Sequence, residues 1–246
     1  GIQRNEMADY FDRRYAPNNL TFIVTGRFDR NEVIRTVESC CGDWTSHPAD
    51  PNQTPPEFSS SSTVRHKDGV AREHVAFAVP APSARDTSSV TADLLAAYLG
   101  ASTNSRLFWS IIQKGLADEA SADYYGFSDS GLFYLYLSVD PGNAARVMDI
   151  VRTELKALGN GIDTDALERA KTKAATSLVC SGQHGLHRFS QIVGDLSTDT
   201  PLKSLDEHLA EIDGVSADSI SAYLSEYPVD IEPALIALGP LDEATW

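Results

Sequence analysis

The sequence is poor in cysteine, in basic residues and in long apolar runs, and each shortage excludes a class of protein. Cysteine occurs only at Cys40, Cys41 and Cys180. Two adjacent thiols and one distant one make neither a disulfide framework nor a C-x-x-C metal or redox pair, so buried, inert thiols are the plain expectation. Lys and Arg number 20 against 35 Asp and Glu, a formal net charge of -15. Such a field repels phosphate backbones and anionic headgroups, so neither nucleic acid nor a membrane surface is an expected partner. Apolar runs such as residues 132–139 fall far short of the ~18 residues that a spanning helix needs. No basic segment followed by an apolar one opens the chain. A G-x-S-x-G elbow, a P-loop and a post-strand G-x-G-x-x-G are all missing, which removes the usual acyl-transfer and phosphate-binding readings.

What is present is an ordinary globular composition, 42% hydrophobic and 22% charged over 246 residues. That is enough chain to bury a real core in an ordinary soluble protein; the compartment is not recorded in the sequence, and a bacterial source would make it cytoplasm or periplasm. The opening at Gly1 without an initiator Met reads as the start of a processed piece whose upstream portion lies elsewhere. Asn19-Leu20-Thr21 and Asn52-Gln53-Thr54 match the glycosylation sequon by pattern alone.

Residues 5–14 read as a helix with acids early and arginines late, 20–25 as a β-rich strand stopped by Gly26, and Asp29 as the cap of a helix through Val33, Ile34, Val37 and Cys41 to Gly42. Residues 46–62, rich in Pro and Ser, read as a linker. Beyond it, 73–79 reads as a strand closed by Pro80, 87–99 as an apolar helix and 105–114 as a short helix. Residues 119–127 and 131–139 read as a β-hairpin around the turn at 128–131. Helices follow at 142–158, 163–181, 185–196, 201–212 and 216–223, then a strand at 233–238. Early strands, late helices and one returning strand predict an α+β fold, a two-layer sandwich with a largely antiparallel sheet covered by helices.

Few side chains form a constellation with chemistry. His184 and His187 stand at i, i+3, but a zinc site needs a third ligand and usually a carboxylate base, and Leu186 occupies the place where an H-x-x-E-H motif has Glu. A helix start with exposed imidazoles is the plainer account. His66 and His74 flank Asp68-Gly69 in a hairpin-like stretch and read as polar surface. Asp163, Asp165 and Glu168 read as first-turn acids opposite a helix dipole.

Two stretches carry more. Tyr15-Ala-Pro-Asn-Asn-Leu-Thr-Phe-Ile-Val-Thr-Gly26, with the helix running on to Gly42-Asp-Trp44, resembles the end of the first domain in the pitrilysin/insulysin family of zinc peptidases. That family also holds the mitochondrial processing peptidases and respiratory-chain core proteins. Asn104-Ser-Arg-Leu-Phe-Trp109 with Gly115-Leu-Ala117, and the hairpin up to Asp140, resembles the family's second, non-catalytic domain. The resemblance implies that residues 1–45 are a closing helix-strand-helix remnant of a zinc domain, 46–62 a linker and 63–246 the second domain. It places H-x-x-E-H and its zinc upstream, leaving no catalytic residue, metal or cofactor site in this chain.

The family's second domain offers an Arg and a Tyr to the substrate backbone in a pattern like S-R-L-F-x-x-x-R-x-x-x-G-L-x-Y. Here the Arg position falls on Ile112 or, counted back from Gly115, on Ile111, and the Tyr position on Asp118. Neither Ile nor ionised Asp donates a hydrogen bond. Arg106, Trp109, Ile112 and Asp118 are therefore the candidate chamber positions, with plainer alternatives for two of them: Arg106 ties a loop to a nearby acid or carbonyl, and Trp109 is core. The implied function is the non-catalytic C-terminal portion of a zinc metallopeptidase that helps to form a peptide-binding chamber. The alternatives are a catalytically dead scaffold or assembly subunit of the same fold and, more remotely, an unrelated enzyme using His184 and His187. Expected partners are a peptide or unfolded polypeptide and a catalytic zinc domain, in the same protein or a paired subunit. An exposed strand edge at 20–25 adds a homodimer to the expectations.

Overall fold

The computed structural model describes residues 1–48 and 56–242. The chain divides into two compact units, Gly1–Pro55 with Gly182–Gly194, and Pro56–Ser181 with Asp195–Trp246. Residues 49–55 of the 46–62 stretch, with the sequon at Asn52, lie outside the described residues.

The first unit carries α1 (Arg4–Arg14), a short 3-10 turn (Pro17–Asn19) and α2 (Arg30–Cys41). Local signals make both helices. Glu6 reaches back to the Gln3 backbone in a capping box. Asp29 Oδ1 accepts from the Asn31 and Glu32 backbone N–H groups at 2.8 and 3.0 Å. Residues 20–25 form no strand, contrary to their β-rich composition, because a strand exists only through a ladder partner and none among the described residues pairs with them. Phe22 and Val24 stay exposed. The thiols of Cys40 and Cys180 are exposed rather than buried.

The second unit is built on a five-stranded sheet of order β1-β5-β2-β4-β3, with β1 Ser61–His66, β2 Glu73–Ala81, β3 Ala117–Gly126, β4 Gly131–Val139 and β5 Ala234–Gly239. Only the β1–β5 pair is parallel; the other pairs are antiparallel. The Ser-rich β1 was hidden in the sequence by its polarity, which suits an edge strand. β5 lies between β1 and β2, so His66 and His74 do not face each other across a hairpin. β2 runs through Pro80 because β5 pairs only with His74 to Ala78, leaving no ladder bond on that side for the missing N–H.

Alternation along the strands sends Val75, Phe77, Val79, Phe133, Leu135, Leu137, Ala120 and Ala122 to one face, where all are buried. Helices cover that face, and the core draws on α3 (Ser89–Gly100), α4 (Ala144–Leu158), α5 (Thr164–Gly182) and α8 (Ala217–Glu226); α7 (Leu205–Gly214) and α6 (Gly185–Ser197), most of which belongs to the first unit, complete the helical set. α4 shows why: Ala144, Val147, Met148, Val151, Leu155 and Leu158 recur at helical spacing and are all buried. Each such Leu or Val contributes roughly 1.5–3 kcal/mol of transfer free energy. Gly100 lets α3 rest directly on β3, since a Cβ there would strike the Ala122 backbone nitrogen. Lys171, nearly buried on α5, is satisfied by the Asp213 carbonyl at 2.8 Å and Glu168 at 2.9 Å. No described helix is long and apolar enough to cross a membrane.

Candidate functional site

The opposite face of the same sheet carries the residues that alternation turns away from the helices. Along β3 these are Glu119, Ser121, Asp123 and Tyr125, opposite Ser138, Tyr136, Tyr134 and Leu132 of β4. Next to them lie His74, Ala76 and Ala78 of β2, and Ile236 of β5, the last 56% exposed. The Tyr125 and Tyr134 rings meet edge-on, 5.8 Å between centroids. His74 Nδ1 and the Tyr136 hydroxyl hydrogen-bond at 2.7 Å, fixing that ring over Ala76. Burial, with Tyr125, Tyr136, Asp123 and Glu119 adding to it, pushes the Tyr134 hydroxyl above its ordinary range; burial and Glu119 do the same for Tyr136. Both phenols are therefore neutral donors. A sheet face of tyrosine and carboxylate beside small apolar side chains can hold a polypeptide by ring contacts, hydrogen bonds and charge.

The four positions singled out from sequence do not form one site. Arg106 and Trp109 share a cleft of about 370 Å³ with Tyr98, Asn104, Lys114 and Arg169. Arg106 is held there by Glu154, with Nε and Nη2 each 2.7 Å from Oε2, which is the loop-to-acid tie expected of it. Tyr98 lies under its guanidinium, and the Tyr98 hydroxyl accepts the Asp163 N–H at 3.2 Å. Trp109 is not core; it is 55% exposed and edge-on to Phe108. The reason is local: residues 105–114 form no regular α-helix but a π-type turn, Phe108–Ile112. Leu107 and Ile111 point inward at a spacing of four, which turns Trp109 to the far side. Ile112 packs half-buried against the core. Asp118 stands at a bulge where the β3–β4 register shifts between Ala117 and Glu119. There it is gripped by Arg72, Nε to Oδ2 2.7 Å and Nη2 to Oδ1 3.2 Å, while Arg72 Nη1 reaches Asp140 at 3.3 Å.

The tyrosine–carboxylate face escaped the sequence reading, although its signal was present as alternate residues of β3 and β4. Asp163 caps α5 by accepting the Ala166 N–H at 3.0 Å. His184 and His187 are exposed with ring centroids 5.9 Å apart. Among the described residues no three His, Cys, Asp or Glu side chains group closely enough to hold a metal ion, so this donor set does not fit a zinc site.

The profile of the peptidase M16 inactive domain matches residues 1–174. The chain belongs to this peptidase M16 inactive-domain family. It is similar to a zinc protease of Streptomyces coelicolor, 26% identical over 248 residues and covering 95% of this chain and 53% of that protein. It is also similar to the mitochondrial-processing peptidase subunit beta of Mus musculus, 23% identical and covering 98% and 52%. The M16 domain thus spans about half the length of these curated relatives. The fold is that of a chain in complex III2 from Candida albicans, TM-score 0.87 at 17% identity, covering 99% of this chain and 60% of that one. As an M16 inactive domain it is the C-terminal type of domain in the pitrilysin-like peptidases, an α+β fold with an open sheet layered by helices.

Proposed function

We propose that this M16 chain is the non-catalytic C-terminal portion of a zinc metallopeptidase and forms one wall of the chamber that holds the peptide. The observation that carries the reading is the one-sided sheet: one face is sealed by helices and the other presents Tyr125, Tyr134, Tyr136, Glu119, Asp123 and Ile236 to whatever approaches. In this reading residues 1–45 close a zinc domain that precedes them, 46–62 link and 63–246 form the second domain. The groove lined by Phe22, Val24, Phe28, Val33, Ile34 and Val37 receives the rest of that zinc domain. Zinc would be held by that other domain, not by residues of this chain, and would supply Lewis-acid chemistry there; the part of this chain is to orient the peptide. Arg106, Trp109, Ile112 and Asp118 belong to the proposal as chamber positions, Asp118 with its charge already balanced by Arg72.

One observation favours the scaffold reading as well. Neither the apolar Ile112 nor the Arg72-bound Asp118 can donate a hydrogen bond to a peptide carbonyl. The experiment is to assay peptide hydrolysis and bound zinc for the chain alone, and then for the protein carrying an H-x-x-E-H domain ahead of it. The expected result is neither zinc nor cleavage alone, and cleavage with the zinc domain that falls when Tyr134 and Tyr136 are replaced by Ala. One zinc per chain, lost in His184→Ala/His187→Ala, overturns the reading. Tight peptide binding without turnover, zinc domain present, turns it into the scaffold.

A further inference from the structure

Glu119 and Asp123 lie on the same side of β3, four residues apart, with Ser121 between them. At the rise of a strand that is about 13 Å. Asp123 is directly opposite Tyr134, whose ring meets Tyr125. Glu119 is one pair removed from Tyr136, which His74 holds in place. The face thus repeats one unit twice, a carboxylate beside an upright phenol ring. Among the described residues neither carboxylate has an ion-pair partner, in contrast to Asp118 next to them, and the cation–ring contacts fall on Tyr10 and Tyr98 rather than on these rings. Arg65, opposite Leu238 on the far edge strand β1, is four strand spacings away, roughly 19 Å. Across β4 from the acids, two and three strands away, Ala76 and Ala78 of β2 and Ile236 of β5 leave an apolar floor.

We propose that this face holds two subsites for lysine or arginine side chains, Asp123 with Tyr125 and Tyr134, and Glu119 with Tyr136, and that the segment laid across it is basic. A cation that meets a carboxylate and a ring face together gains from both the ion pair and the ring quadrupole. The spacing sets the pattern of the ligand: in an extended segment, about 13 Å separates residues four apart. The stem methylenes and intervening apolar side chains settle on Ala76, Ala78 and Ile236.

The inference rests on the chamber reading for the identity of the segment as peptide substrate, but the subsites belong to this chain and are testable without cleavage. The probe is an acetylated, fluorescently labelled peptide with two lysines four apart, set against the same peptide with adjacent lysines and one with glutamines, and followed by anisotropy. The expected order is spaced lysines first, adjacent lysines second, glutamines last. Asp123→Asn/Glu119→Gln should weaken the spaced-lysine peptide by about tenfold and leave the glutamine peptide unchanged. Tyr134→Phe, which keeps the ring, should bind like the parent, whereas Tyr134→Leu should not. An unchanged thermal midpoint and near-UV spectrum confirm that the variants fold. Equal losses for lysine and glutamine peptides, or no loss at all, overturn the subsites. With the zinc domain present, weakened binding without any change in cleavage of basic peptides leaves the subsites standing and overturns the chamber reading; unchanged binding with intact cleavage does the reverse.

Discussion

The two units belong to one chain, yet they differ in what they bury. In the second unit Phe133, Leu135, Leu137, Leu95, Leu99 and Val151 are sealed from solvent. In the first, Ala16 is the one buried hydrophobic residue among those described, while Ile2, Met7, Phe11, Phe22 and Phe28 stay exposed. Both have capped helices. The difference shows that capping and propensity suffice to shape a helix, whereas a core needs faces brought together from far along the chain.

The sharpest test of this contrast is to remove the same kind of side chain from each unit. Leu135→Ala in the sheet should cost about 2–5 kcal/mol of unfolding free energy, read by chemical denaturation, while Ile34→Ala on α2 should stay within about 0.5 kcal/mol. Comparable losses would mean that the first unit possesses a core after all. Hydrogen exchange sharpens the point, with amides at Phe22 to Val24 exchanging much faster than those at Phe133 to Leu137.

Gly100→Ala comes next. Its added methyl meets backbone, not a movable side-chain end, so α3 must shift off β3 at a cost of about 1–3 kcal/mol; a neutral outcome would show that this interface yields. In the first unit Asp29→Ala should lower the local stability of α2 by about 1 kcal/mol, seen as loss of helical ellipticity, with Asp29→Ser retaining most of it. The smallest effect is electrostatic. The hydrogen bond that His66 Nε2–H donates to Asp68 Oδ1 at 3.0 Å holds His66 above its ordinary value of 6.5. A raised histidine stabilises the fold below its unfolded value and loses that contribution as pH rises through the folded one. Asp68→Asn should return the ring to its ordinary titration in an NMR series; an unaltered titration would assign the shift to other neighbours.

Local chemistry was legible wherever a residue answered only to its neighbours in sequence. The Asp29 cap, the hairpin turn into Gly131, the amphipathic stripe of α4 and the Asp163 cap all stand where their patterns place them. The candidate site was less legible: Arg106 found its acid in Glu154, 48 residues away, and Asp118 its cation in Arg72, 46 residues away. Trp109 turned outward because Leu107 and Ile111 took the inward positions of a π-type turn, a choice that a helical pattern does not record.

By itself the sequence determined the α+β class, the central strands and the position of most helices, because hydrophobic period and capping act over a few residues. The tertiary structure alone decided that β5 enters between β1 and β2, that residues 20–25 make no ladder, and that the tyrosines and carboxylates of β3 and β4 gather on an uncovered face. Each of these depends on which distant segment supplies the hydrogen-bond partner or the covering helix. Strand alternation fixes that two faces exist, but only the packing of α3, α4, α5 and α8 fixes which of them meets solvent.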